Sequence, residues 1–122
     1  MNDLNISEIS LFIKDSFIFE KAAGIDFSVQ LELTGSENEY WYLLVQNQTC
    51  KIEQGSIPNS NAQVILEKEN LIHLIKGELN PSMAFFTGKI KISGDQSGLF
   101  RIVSLFNINK EKRDLILAKY KY

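Results

Sequence analysis

Between residues 27 and 53 the chain alternates in polarity through three successive runs. Phe27, Val29, Leu31 and Leu33 alternate with Ser28, Gln30 and Glu32, which predicts a strand with one buried face. Residues 39–46 place Trp41, Leu43 and Val45 on one side and Tyr40, Tyr42 and Leu44 on the other. In residues 49–53, Cys50 and Ile52 oppose Lys51 and Glu53. The links at residues 35–38 and 47–48 have room only for reversals, so the three runs form an antiparallel meander. The second run has no fully polar side. It is expected inside the sheet, with helices over one face and tyrosine rings or a partner over the other.

Around this meander the chain supplies two more strands and four helices. Residues 5–22 read as the first helix, with Ile6, Ile9, Phe12 or Ile13, and Phe17 in one stripe. Asn5 and Glu8 have the spacing of a capping box. Residues 55–61 form a loop, 62–66 a strand, and 68–76 a helix that stops at Gly77. Asn80 caps a short apolar helix with Pro81 in its first turn. Residues 89–92 alternate as a fifth strand, and Asp95 caps a last helix to residue 106. Ile108, Leu115, Ile116, Ala118 and Tyr120 suggest an amphipathic segment covering the core.

The 122 residues fit one domain, spanning 1–122. Residues 1–80 hold 12 acidic and 5 basic side chains, and residues 81–122 hold 3 and 8. That asymmetry suits a C-terminal part facing an anionic surface, or simply a solvated basic end. Basic residues do not interleave with aromatic ones, which argues against nucleic acid as a partner. One cysteine, Cys50, excludes an internal disulfide. A polar beginning and the lack of a long apolar run predict a soluble, cytoplasmic protein. His73 is the lone histidine and has no companions at metal-site spacing. No catalytic residue, metal or cofactor is therefore expected, and the chain reads as a non-enzyme.

The apolar residues offer a different kind of chemistry. The helix bearing Phe85 and Phe86 is too short to stand alone, and the last helix is apolar on more than one side. Both can close over the sheet face made by Phe27, Val29, Leu31, Trp41, Leu43 and Ile92. Patterning alone does not separate a filled core from a cavity.

The run Gly77-Glu-Leu-Asn-Pro-Ser-Met-Ala-Phe-Phe-Thr-Gly-Lys-Ile-Lys-Ile-Ser-Gly-Asp95 resembles the signature of the sterol carrier protein type-2 family. The Trp41 strand, the Gly55 turn, residues 63–66 and the helix at 71–75 stand where that family has them. The resemblance covers about residues 5–106, leaving 107–122 as an extension, and its closest fit is a small free-standing microbial member. It implies an α+β fold, a five-stranded mixed sheet with helices on one face and an apolar cavity between sheet and C-terminal helices. It further implies binding, with transfer, of a sterol, fatty acid, acyl-CoA or isoprenoid in an apolar tunnel, and a transient membrane contact for release. The lining set expected on this basis is Phe17, Phe27, Leu31, Trp41, Leu43, Phe85, Phe86, Ile92, Leu99, Ile102, Val103 and Phe106. Gly98 departs from the pattern, since glycine weakens a helix by about 1 kcal/mol relative to alanine. The competing expectation is a dimerisation or docking module, a homodimer through Tyr40, Tyr42 and Leu44.

Overall fold

The computed structural model describes residues 6–106. In chain order these form α1 (Ile6–Asp15), a 3-10 turn (Phe19–Ala22), β1 (Phe27–Thr34), β2 (Glu39–Gln46) and β3 (Thr49–Gln54). There follow β4 (Ala62–Glu67), α2 (Lys68–Lys76), α3 (Pro81–Phe86), β5 (Ile90–Gly94) and α4 (Gln96–Val103). The extension expected at 107–122 lies outside the described residues.

The strands make one mixed sheet in the order β3-β2-β1-β4-β5. The meander pairs antiparallel, β4 runs parallel to β1, and β5 runs antiparallel to β4. At the β2–β3 turn Asn47 and Gln48 both have positive φ, 52° and 56°. Two left-handed residues in succession match the twist of a tight hairpin. Thr49 Oγ1 donates to the Gln46 carbonyl at 2.7 Å and fixes the return.

Register puts Phe27, Val29, Leu31 and Leu33 on the same face as Trp41, Leu43, Val45, Ala62, Val64, Leu66, Ile90 and Ile92. The helices pack on this face, where the buried core clusters lie. The opposite face carries Ser28, Gln30, Glu32, Tyr40, Tyr42 and Leu44. Residues 55–61 cross it as a strap from β3 to β4. Gln30 holds the strap from both ends of its amide: Nε2 donates to the Gly55 carbonyl at 3.1 Å, and Oε1 accepts from the Ile57 N–H at 2.8 Å. Asn61 Oδ1 accepts from the Ser28 N–H at 2.8 Å. Part of the cover expected over this face is therefore the chain itself.

The first helix is shorter than its periodicity predicts. It ends at Asp15, and Ser16 is buried with its hydroxyl on the Phe12 carbonyl at 3.0 Å. Phe17 instead bridges to Phe106, and the Ile18 N–H donates to the Leu105 carbonyl at 2.8 Å. A run of two phenylalanines and an isoleucine is a weak helix former, so a tertiary pairing overrides the stripe. The helix stops downstream follow local chemistry. Gly77 closes α2 at φ 79°, and Asn80 Oδ1 accepts from the Ser82 and Met83 N–H groups at 2.9 and 3.2 Å. Asp95 Oδ1 accepts from the Gly98 N–H at 2.8 Å and starts α4.

Candidate lipid-binding cleft

The helix-covered face of the sheet falls into three belts. At one end Leu33, Trp41 and Leu66 are buried under Ile6, Leu71 and Leu74. At the other Phe27, Val29, Val45 and Ala62 are buried with Ala22, Leu99, Ile102 and Leu105. Between them Leu31, Leu43, Val64 and Ile92 remain only half-buried. The register sets Leu31 beside Val64 and Val64 beside Ile92, so this middle belt is continuous. Among the described residues this exposure has a simple cause: the helices lean on the two ends and leave the centre uncovered.

Two adjoining apolar clefts occupy that space. One, of about 470 Å³, lies between β5, α3 and α4 and is lined by Val64, Pro81, Ser82, Phe85, Phe86, Ile90, Ile92, Leu99, Phe100 and Val103. The other, of about 360 Å³, is lined by Ile13, Val29, Leu31, Leu43, Val64, Leu99, Ile102, Val103 and Phe106. They share Val64, Leu99 and Val103 as a common wall. Among the described residues Ser82 is the one polar residue in either lining, and none of those lining residues is titratable. Such a surface recognises apolar area and shape, with about 25 cal/mol contributed per Å² removed from water.

Nine residues of the expected set line these clefts: Leu31, Leu43, Phe85, Phe86, Ile92, Leu99, Ile102, Val103 and Phe106. Three do not. Trp41 belongs to the filled end with Leu33 and Leu66, where its indole N–H donates to Glu39 Oε1 at 3.1 Å. Phe17 packs its ring on Phe106, centroids 5.4 Å apart, and stands behind the wall. Phe27 faces Gly98 and borders a separate polar groove of about 340 Å³ with Asp26, Asp95 and Arg101. The expected set lacked Ile13, Val29, Val64, Pro81, Ser82, Ile90 and Phe100. Val64 was findable, because parallel pairing with β1 brings it level with Leu31.

Elsewhere the ionisable groups do structural work. The hydrogen bond from Lys68, then that from Trp41, holds the Glu39 carboxyl below the usual carboxylate range. Burial pushes the Cys50 thiol up to about 11, so it stays protonated at neutral pH. His73 Nδ1 meets Glu78 Oε1 at 2.7 Å on the exposed side of α2. No helix among the described residues is long and apolar enough to cross a membrane.

Comparison with known proteins places this geometry. Residues 18–107 match the SCP-2 sterol transfer family. Hydroxysteroid dehydrogenase-like protein 2 of Rattus norvegicus is 30% identical over 92 residues, which are 74% of this chain and 17% of that protein. The Homo sapiens protein of the same name is 25% identical over 104 residues, 84% of this chain and 25% of that one. The chain thus spans about a fifth of the length of these curated relatives. Among solved structures, apo sterol carrier protein 2 from Yarrowia lipolytica superposes with a TM-score of 0.63 at 19% identity, covering 93% of this chain and 91% of that one. Palmitated sterol carrier protein 2-like 2 from Aedes aegypti gives 0.61 at 21% identity, covering 93% and 95%. The sec-alkylsulfatase Pisa1 from Pseudomonas sp. gives 0.67 at 22% identity, covering 78% of this chain but 15% of that one. The chain belongs to the SCP-2 sterol transfer family.

Proposed function

We propose that the paired clefts over the middle belt hold the apolar part of a lipid and hand it on by transfer. The observation that carries this reading is the unroofed row Leu31, Val64 and Ile92 facing Leu99 and Val103. A packed protein interior would cover such a row. Volumes of about 470 and 360 Å³ fall within the range of small-molecule sites. The described lining residues are apolar apart from Ser82, so affinity scales with chain length at about 0.8 kcal/mol per buried methylene. Linear acyl chains and isoprenoids suit two clefts joined side by side. A sterol is accommodated on the same terms, and selectivity among these ligands is loose.

A second reading is a non-catalytic docking or dimerisation module. The exposed rings of Phe86 and Phe100 support it, as does the matching region being a minor part of the curated relatives. Native mass spectrometry of protein purified from its own host separates the two. The expected result is a monomer carrying a co-purifying lipid, together with saturable binding of cis-parinaric acid. An empty monomer that ignores the probe would remove the lipid reading. An empty dimer would favour the module.

A further inference from the structure

On the other flank of α4 from the larger cleft lies a groove of a different kind. It holds about 340 Å³ between the 24–27 segment, Asn61 and the first turns of α4. Its floor, made by Phe27 and Ile102, is apolar and buried. Its rim, made by Asp26, Asn61, Asp95, Ser97 and Arg101, is polar and exposed. The helix thus divides two environments. Leu99 and Val103 line both clefts, Ser97 and Arg101 line the groove, and Ile102 borders the groove and the smaller cleft.

The rim is held in place, yet its charges are unpaired. Asn61 Oδ1 accepts from the Ser28 N–H at 2.8 Å and from the Ser28 hydroxyl at 3.3 Å, which fixes the amide and leaves Nδ2 as a donor. The Asp95 N–H donates to the Asn61 carbonyl at 2.8 Å. Asp95 Oδ1 accepts from the Gly98 N–H at 2.8 Å, and its second carboxylate oxygen stays available. Among the described residues neither Asp26 nor Arg101 makes an ion pair, with each other or with any other side chain. Opposite charges therefore share one groove without neutralising one another.

We infer that this groove is a binding site for a zwitterion, with an anionic group on Arg101, Ser97 and Asn61 and an ammonium on Asp26 and Asp95. Charge decides the class. A bare anion would sit beside the carboxylates of Asp26 and Asp95, and a bare cation or metal ion beside the Arg101 guanidinium. One molecule carrying both signs satisfies each side chain. The guanidinium fork suits a phosphate or carboxylate at the anionic end. The volume stands at the lower end of small-molecule sites, which fits a short zwitterion such as an aminoalkyl phosphate. The groove would serve whether or not the clefts hold lipid. Two sources carry this chemistry: a free zwitterion in water, and a lipid head whose tail passes Ile102 into the smaller cleft.

The test is calorimetric titration of the full chain with O-phosphoethanolamine, beside inorganic phosphate and ethanolamine, which each carry one sign. The zwitterion should bind saturably and about tenfold tighter than either. R101Q should lose about tenfold in affinity for it, and D26N should lose its preference for it over inorganic phosphate. Both variants should bind cis-parinaric acid as the wild type does, because neither residue lines an apolar cleft and both side chains are exposed. A second titration with dihexanoyl phosphatidylethanolamine separates the sources. Binding about tenfold tighter than O-phosphoethanolamine, with displacement of cis-parinaric acid, assigns a lipid head. Equal affinity with the probe undisturbed assigns a free zwitterion. Absence of saturable binding by both compounds would overturn the inference. So would inorganic phosphate binding the wild type as tightly as O-phosphoethanolamine, or wild-type behaviour of both variants. Failure of cis-parinaric acid alone would remove the cleft reading and leave the groove standing.

Discussion

Among the described residues the two ends of the sheet's covered face are filled, and the middle is not. Leu33, Trp41 and Leu66 sit under the α1–α2 layer, and Phe27, Val45 and Ala62 sit under the end of α4. Leu31, Leu43 and Val64, drawn from the same strands, and Ile92 of neighbouring β5 stay half-buried between them. The difference does not lie in the strands. It lies in where the helices land, and α3, with only six residues, is too short to cover the gap. A hollow site is thus made by shortening the roof, while the sheet beneath keeps an ordinary apolar pattern.

Truncations at matched positions test this contrast most strongly. Leu33→Ala should lower stability by about 2–5 kcal/mol in urea unfolding, since it opens a void in packed surroundings. Leu31→Ala, next along the same face, should cost about 1 kcal/mol, because its side chain already borders open space. Equal costs would mean that the middle is as tightly packed as the ends. Filling the gap is the converse experiment. Val64→Phe places a ring on the wall common to both clefts and should weaken cis-parinaric acid binding about tenfold or more, equivalent to roughly 1.4 kcal/mol. Stability should change far less than in Leu33→Ala.

A smaller effect is expected at the other filled end. A Cβ on Gly98 would overlap the Phe27 ring and the Asp95 carboxylate. Gly98→Ala should therefore destabilise by about 1–2 kcal/mol in thermal or urea unfolding, despite its gain of about 1 kcal/mol in helix propensity. A stabilised variant would show that the ring has room to retreat. The smallest effect belongs to Glu39. Its folded pKa is depressed, so its stabilisation is complete above the usual carboxylate range and disappears as pH falls through the lowered folded value. Because the pair is partly solvated, Glu39→Gln should cost only about 0.5–1 kcal/mol near neutrality. Unfolding curves of the two proteins should converge in strong acid.

Strand phase and helix punctuation were legible in the sequence because both are local. Leu31 and Leu33 announce a face by alternation, and Asn80 and Asp95 announce helix starts by the side chains they carry. The hollow was implied by the family resemblance but not legible in the pattern, since Leu31 and Leu33 look alike there and only the helix positions tell them apart. Trp41 shows the same limit: its side of the strand was readable, but its place at the filled end was not. The early end of α1 was hidden for another reason. Phe17 keeps helical spacing, yet its partner Phe106 lies far along the chain. Gly98 read as a flaw in α4 when considered alone, and becomes a packing requirement once Phe27 is seen against it.

The strap tied by Gln30 also bears on the order of assembly. The meander closes through short hairpins, whereas joining Ser28 to Asn61 closes a separation of 33 residues. Loop-closure entropy makes the local step faster, so β1 to β3 should form first and β4 should dock later. Leu31 and Leu43 belong to the early unit, while Val64, Ile92 and Leu99 arrive with the late one. The receptacle for lipid comes into being only when the last pieces seat. A nascent chain therefore cannot be loaded early, and any ligand it holds reports that folding has finished.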